Sequence, residues 1–585
     1  MPQFNRIICL LMLSLSTFVV YGQDSLQLSI LIDGQLQQPT VIDSLEVDSI
    51  LLSEIELMLQ DHYLEAAIDS LDLQAEGCIA YLHRGPQYQD IYIAPNEAAV
   101  EFAQGKLKSK AYRYKDALKL KKTLLRNAEN NGFPFAEIVF DNIEVMDDRV
   151  TAEMQLILHR KVLVNQIKII GDATISPNFL GPYLGLVPGK PFSKKQLNQA
   201  QSRLNNLPFV TTDKRPNVLF NDQGADIYIF AKNREASRFD ALIGVLPVND
   251  PLIDNSVIVT ATAMVDLINT LNRGERIFFE FRQLKPLTQN IKAEFRYPYF
   301  FGLPFGLRSS FELAKQDTSF LDIDYTVGAQ YLYGGDNYIE IFYASDITRI
   351  LDVNESAIIN SRMLPKSLDT RTQYYGIQSQ YHNLKNLNNP RQGWLLKNKV
   401  MLGVKQIRPN SLILDLVDPA DEDFSFATLY NTFEKQDQFI LSVDIARYQS
   451  IGRQSSLKIG LNAAGILGKS TVFTNEQFRI GGNQLLRGFN EQNFFTDRYA
   501  VNTVEYRFTL KGNSVLFAFS DLAILQIDKT LDIYNYPWGL GAGINFETSA
   551  GILSLSAAVG RDLSINEDFF DLSKPKIHIG YVNLF

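Results

Sequence analysis

Disulfide chemistry is nearly missing from this chain: its 585 residues include two cysteines, Cys9 and Cys78. Cys9 falls in an apolar N-terminal run that reads as an export signal, so Cys78 is left alone. A lone cysteine cannot staple a fold or build a metal cluster. Histidine is scarce too. His62, His83, His159, His382 and His578 are scattered, with no His-Glu-x-x-His pair, a pattern that argues against a metal site. No Gly-x-Ser-x-Gly elbow occurs. In Gly468-Lys469-Ser470 the first glycine of a phosphate loop would fall at Ala463, and no helix is predicted to follow. Neither nucleophilic catalysis nor a cofactor is therefore expected.

Long apolar runs are also lacking. The N-terminal run IICLLMLSLSTFVV at 7–20 is 14 residues, short of the roughly 20 that a bilayer-spanning helix needs. It is followed by Val20-Tyr21-Gly22, so 1–22 is assigned as an export signal. Its removal takes away Arg6, its only charge, and moves the formal net charge from −9 to −10. The best later run, VLFAFSDLAILQI at 515–527, carries Asp521.

Aromatic residues are abundant: 38 Phe and 26 Tyr beside 2 Trp. The chain is 46% hydrophobic and 21% charged, with mean hydropathy near −0.08, which excludes both a disordered chain and a helical membrane protein. For an exported, aromatic-rich chain one membrane architecture stays open, the closed β-barrel, whose alternating strands average out in hydropathy.

The first 235 residues repeat. His83, Arg84, Ile91 and Ile93 in YLHRGPQYQDIYI recur 76 positions later as His159, Arg160, Ile167 and Ile169 in ILHRKVLVNQIKI. Phe133 and Phe209 are 76 apart as well, and Tyr63 precedes Phe133 by 70. Each unit reads as an amphipathic helix, an aromatic and two alternating strands, so three small α/β modules are predicted at 23–96, 97–164 and 165–234. The nine basic residues in 106–126, against Asp116, read as the solvated face of the second module's helix, and nucleic acid is not an expected partner.

From Ser237 onward the period is two. Ile339, Ile341 and Tyr343 face away from Glu340, and Leu540, Ala542, Ile544 and Phe546 alternate with glycines and Asn545. Sixteen antiparallel strands are predicted over 235–585, beginning with 238–248, continuing through strands such as 336–346 and 515–527, and ending with 576–585, an all-β barrel with its apolar face toward lipid. The fold class expected is therefore α+β repeats followed by a transmembrane barrel.

The phrases NNGFPFAEI and HRGPQYQDIYI resemble POTRA modules of the BamA/TamA superfamily of outer-membrane assembly and translocation barrels. Arg487-Gly488-Phe489 resembles the tip of that family's sixth loop, which folds back into the lumen. The resemblance implies Glu505, Phe519 and Asp521 as lumen partners of the motif. YPYFFGLPFGL at 297–307 and NPRQGW at 389–394 look like family strand junctions. Tyr581 and Phe585, with Ile577 and Ile579 on the same face, resemble the C-terminal barrel signal, although Asn583 departs from it. The resemblance further implies an outer-membrane location with periplasmic modules, and assembly of other barrels without an energy cofactor; the alternative is export of one dedicated substrate through the pore. Implied partners are outer-membrane lipid, unfolded client outer-membrane or secreted proteins, and periplasmic or lipoprotein accessory subunits.

Overall fold

The structure is a computed structural model and describes residues 26–582, leaving out 248–256, 529–532, 565–574 and several stretches of one to three residues. The assigned export signal 1–22 and the terminal Phe585 lie outside the described residues. The chain divides into two compact units: residues up to 163 together with 191–195, and 164–190 with 196 onward.

The first unit contains two sheets. In one, β1 (Leu26–Ile32) pairs in parallel with the later strand β3 (Gly77–His83), which is antiparallel to β2 (Ala67–Gln74). Helix α1 (Val47–Gln60) buries Leu51 and Met58 in a core with Leu28, Cys78 and Leu82. In the other, the order is β5 (Lys110–Tyr112), β4 (Ile91–Pro95), β7 (Arg149–Ile157), β6 (Glu137–Met146), which leaves β6 at an edge. Helix α2 (Glu97–Phe102) and the longer α3 (Tyr114–Asn130) flank it, and α3 buries Ala117, Leu124 and Ala128 while Lys115, Lys119 and Lys122 face water. The repeated histidines make equivalent contacts: His83 Nδ1 lies 2.7 Å from Asp69 Oδ1, and His159 Nε2 lies 2.9 Å from Glu137 Oε1. Each bond ties the end of one strand to the start of its hairpin partner.

The second unit begins with a third α/β layer. β8 (Val164–Ile170) runs parallel to β10 (Gly224–Phe230), which pairs with β9 (Asn217–Asn221). Helices α4 (Pro177–Leu184) and α5 (Lys194–Asn206) cover it. This layer does not close its own core. Phe179, Tyr183 and Phe209 are buried together with Tyr299, from a barrel turn, and Leu332, the last residue of a barrel strand.

The barrel wall follows in chain order: β11 (Arg238–Pro247), β12 (Val257–Ile268), β13 (Arg276–Lys285), β14 (Thr288–Tyr297), β15 (Phe305–Gln316) and β16 (Phe320–Leu332). Next come β17 (Tyr338–Ile350), β18 (Thr370–His382), β19 (Gly393–Ile407), β20 (Gln436–Ser450) and β21 (Ser455–Leu467). β22 (Arg498–Thr509), β23 (Val515–Asp528), β24 (Pro537–Thr548), β25 (Gly551–Asp562) and β26 (Lys576–Val582) complete it. A short stretch, Ile533–Asn535, extends β24 along β23, so the sheet has sixteen wall strands, each antiparallel to its neighbours.

Alternation decides which face is which. Ile341 is 67% exposed while Glu340 beside it is 0%, and Glu340 accepts hydrogen bonds from Gln330 (2.6 Å) and Gln378 (2.8 Å) on the two neighbouring strands. Apolar side chains stand outward and hydrogen-bonded polar ones inward, as lipid outside and water inside require.

The third layer is welded to the turns at one barrel end. Phe179 stacks on Tyr183 with centroids 5.2 Å apart and meets Tyr299 edge-on at 5.9 Å. A Cβ added to Gly274, in the β12–β13 turn, would stand 2.2 Å from the Phe179 ring. Tyr299 donates its hydroxyl to the Gly335 carbonyl at 3.0 Å, and the Gly335 amide donates to the Tyr183 carbonyl at 3.0 Å. Burial raises the Tyr183 hydroxyl pKa well above the ordinary value and lowers that of the Arg203 guanidinium; Arg203 satisfies itself on the α4 C-terminal carbonyls, Leu184 O at 2.5 Å among them.

Candidate functional site: the loop folded into the barrel

Between β21 and β22 the chain runs through a long loop, 468–497, that carries a short hairpin of Phe478–Ile480 against Phe494–Thr496. Its apolar residues pack on the inner wall: Ile480 and Leu486 are buried with Val501, Ala523 and Leu525, and Phe489 and Phe494 lie against them. At the tip, Leu486 has φ +65° and is fully buried. A leucine in that region costs on the order of 1 kcal/mol, which the surrounding packing must offset.

Arg487 follows directly. Its Nε donates to Asp521 Oδ2 at 2.7 Å and its Nη2 to Asp521 Oδ1 at 2.9 Å, a bidentate pair, while Nη1 donates to Glu505 Oε2 at 2.8 Å. The backbone amide of Arg487 also donates to Asp521 at 3.1 Å. The guanidinium carbon lies over the Phe519 ring, 3.4 Å from its centroid. Phe519 and Asp521 both face inward, as alternation two apart demands.

Two more groups complete the charge balance. Arg507 Nη1 donates to Glu505 Oε1 at 3.0 Å and its Nη2 to Asn389 Oδ1 at 3.3 Å, and Thr503 donates its hydroxyl to Asp521 at 2.9 Å. Two guanidinium groups thus meet two carboxylates, all largely buried. In low dielectric such charges stay only if matched and hydrogen-bonded.

The floor under the tip is glycine. Thr503, Asp521, Gly539 and Gly560 form one row of paired positions across β22, β23, β24 and β25. A Cβ on Gly539 would stand 1.8 Å from the Arg487 carbonyl oxygen, and one on Gly560 would stand 2.7 Å from the Gly488 carbonyl oxygen and 2.8 Å from the Phe489 ring. Gly488 itself has φ +98° and no room for a Cβ beside Val559. The row admits backbone where any larger residue would block it.

The structure brings together Arg487, Gly488, Phe489, Glu505, Phe519 and Asp521. Tyr581 stands apart on β26, paired with Leu553, and Phe585 lies outside the described residues. Asn389, the first residue of the NPRQGW stretch, belongs to the same arrangement, as do Arg507, Gly539 and Gly560, which were not singled out in the sequence. Glycine on the inward face of an otherwise regular strand, as in GLGAGINFE, is the signal that points to the last two.

The model of the Omp85 superfamily domain matches residues 269–568, and that of a POTRA, surface antigen variable number repeat, matches 162–232. The chain belongs to the Omp85 superfamily. No curated protein matches it. Among solved structures, CdiB from Acinetobacter baumannii is 12% identical, with 93% of this chain and 99% of that chain covered and a TM-score of 0.49. BamA from Haemophilus ducreyi lacking POTRA domains 1–3 is 13% identical, with 84% and 98% covered and a TM-score of 0.40. Among the described residues of this Omp85 chain no helix is long and apolar enough to cross a membrane; the crossing elements are the strands.

Proposed function

We propose that this Omp85 chain is an outer-membrane protein assembly factor. In this reading three POTRA-like modules, one for each α/β sheet ahead of Arg238 and with the second beginning at Ile91 rather than at 97, stand in the periplasm and receive unfolded client chains, and the barrel promotes their insertion at a lateral seam. The observation that carries the reading is the seam. Among the described residues the ladder runs from β11 to β26 with no pairing that joins those two strands. Unpaired backbone groups are costly in lipid, so a client strand that pairs there is stabilised. Ile243 on β11 and Ile579 on β26 stand outward, 77% and 74% exposed, in keeping with a seam that opens to lipid.

The modules supply complementary edges. β6 and β9 are edge strands, and beside β6 lies an apolar cleft of about 220 Å³ lined by Ala117, Leu118, Phe140, Ile143 and Val145. An extended apolar segment fits an edge and cleft of that kind by strand addition. No catalysis and no cofactor enter, and accessory subunits are candidate partners at the modules.

Depleting the protein in cells and quantifying the outer-membrane proteome tests the reading. Parallel loss of many barrel proteins is expected. Loss of a single secreted protein with the barrels intact would replace assembly by dedicated export.

A further inference from the structure

Loop 468–497 has a second charged attachment, far from its tip. Lys405, on β19, is 1% exposed, although lysine is almost never fully buried unless paired. Its ammonium forms an ion pair with Glu476, and that carboxylate belongs to the first arm of the loop. Glu476 is held in turn: its Oε2 accepts the Phe473 amide at 2.8 Å, and its own amide donates to the Phe473 carbonyl at 2.9 Å. The Lys405 ammonium lies 4.2 Å from the centroid of the Phe473 ring, so the aromatic face and the carboxylate share one cation.

The two attachments are separate. Arg487 is fixed on β22 and β23, whereas Lys405 stands on β19, and β20 and β21 lie between. The charges around Arg487 balance among themselves, leaving Glu476 to Lys405. A cavity of about 330 Å³ separates part of the arm from the wall, with Glu476 and Phe478 on one side and Asp346, Tyr374 and Lys399 on the other. Beside this open space the ion pair bridges loop to wall, in addition to the contact of the Phe478 ring with Tyr499 of β22.

We propose that Lys405 is a positioning residue that forms with Glu476 a second latch, independent of Arg487, keeping the first arm of the loop inside the barrel. Withdrawal of the loop then has to break both attachments, and loss of either leaves the loop tethered by the other. The latch is separate from the assembly reading and concerns only what keeps the loop inside the barrel.

Single-channel conductance of the full-length protein in planar bilayers tests it, with a heat-modifiable gel shift confirming a folded barrel. Lys405→Met and Glu476→Gln are each expected to raise the fraction of time in a large open state by about tenfold, and Lys405→Met combined with Arg487→Ala to raise it further than either alone. The charge swap Lys405→Glu with Glu476→Lys should recover part of the closed behaviour, which a residue needed only for wall packing would not do. Folded Lys405→Met and Glu476→Gln proteins with wild-type gating would overturn the latch. Glu476→Gln lies on the loop and decides alone if Lys405→Met does not fold. Arg487→Ala with wild-type conductance would count against the loop as a pore element, a separate failure.

Discussion

The carbonyl oxygen of Arg487 lies 1.8 Å from the point where a Cβ on Gly539 would stand. The loop tip and the glycine of β24 cannot both keep their places if a methyl group is added, and the atom met is backbone, which cannot rotate away.

Gly539→Ala is therefore expected to push the tip off its floor at a cost of about 1–3 kcal/mol, the usual range for overpacking. Limited proteolysis of the folded barrel checks this: cleavage within 478–497 should quicken several-fold, and wild-type resistance would show that the tip tolerates the methyl.

Arg487→Ala leaves Asp521 and Glu505 buried with one cation fewer, a loss of about 3–5 kcal/mol for a broken buried pair. Arg487→Lys keeps the charge but cannot make the bidentate contact and the bond to Glu505 together. Thermal unfolding should rank the wild type above Arg487→Lys and that above Arg487→Ala, and equal midpoints for wild type and Arg487→Lys would contradict the geometric argument.

Asp336, in the turn that meets Tyr183 and Tyr299, has its carboxyl pKa raised by burial, which His382 and Arg296 only partly offset. The folded protein thus binds this proton more tightly than the unfolded chain. Stability from this group is full below the ordinary carboxylate value and falls as pH rises toward the raised value. Relative to wild type, Asp336→Asn should stabilise the protein at neutral pH, with the difference vanishing in acid. Melting midpoints of both proteins across that window decide it.

Phe179→Ala removes a ring, 3% exposed, that fills the junction between the third layer and the barrel turns. A loss of about 3–5 kcal/mol is expected for such a truncation. Because the wall strands keep their pairing, protease should sever the chain near 233–237 while the barrel retains its gel shift; simultaneous loss of both would mean that the junction and wall fold as one.

Strand positions were readable because period-two alternation is local. The strand expected at 238–248 runs from Arg238 to Pro247, and that expected at 515–527 runs from Val515 to Asp528. The strand expected at 336–346 instead runs from Tyr338 to Ile350; its last residues add backbone pairs to β16 without a strong apolar period, so alternation understates it. The loop motif and its partners Glu505, Phe519 and Asp521 were visible only through resemblance.

Side-chain meetings across the fold were another matter. Gly539 and Gly560 acquire their role only when the register of β23, β24 and β25 places them in a row with Asp521. Lys405 and Glu476 are 71 positions apart, and Arg507 and Asn389 are 118 apart. Nothing in either neighbourhood foretells those contacts. The same is true of the third layer, whose own residues leave a gap that Tyr299 and Leu332 fill.

Modules, strands and the lipid-facing side of each strand follow from the order of residues alone, because backbone pairing and side-chain alternation act over a few positions. Which buried charge meets which was decided by the register of the sheet and the folding of the loop onto it, because a charge removed from water is stable only beside partners that chain proximity does not supply.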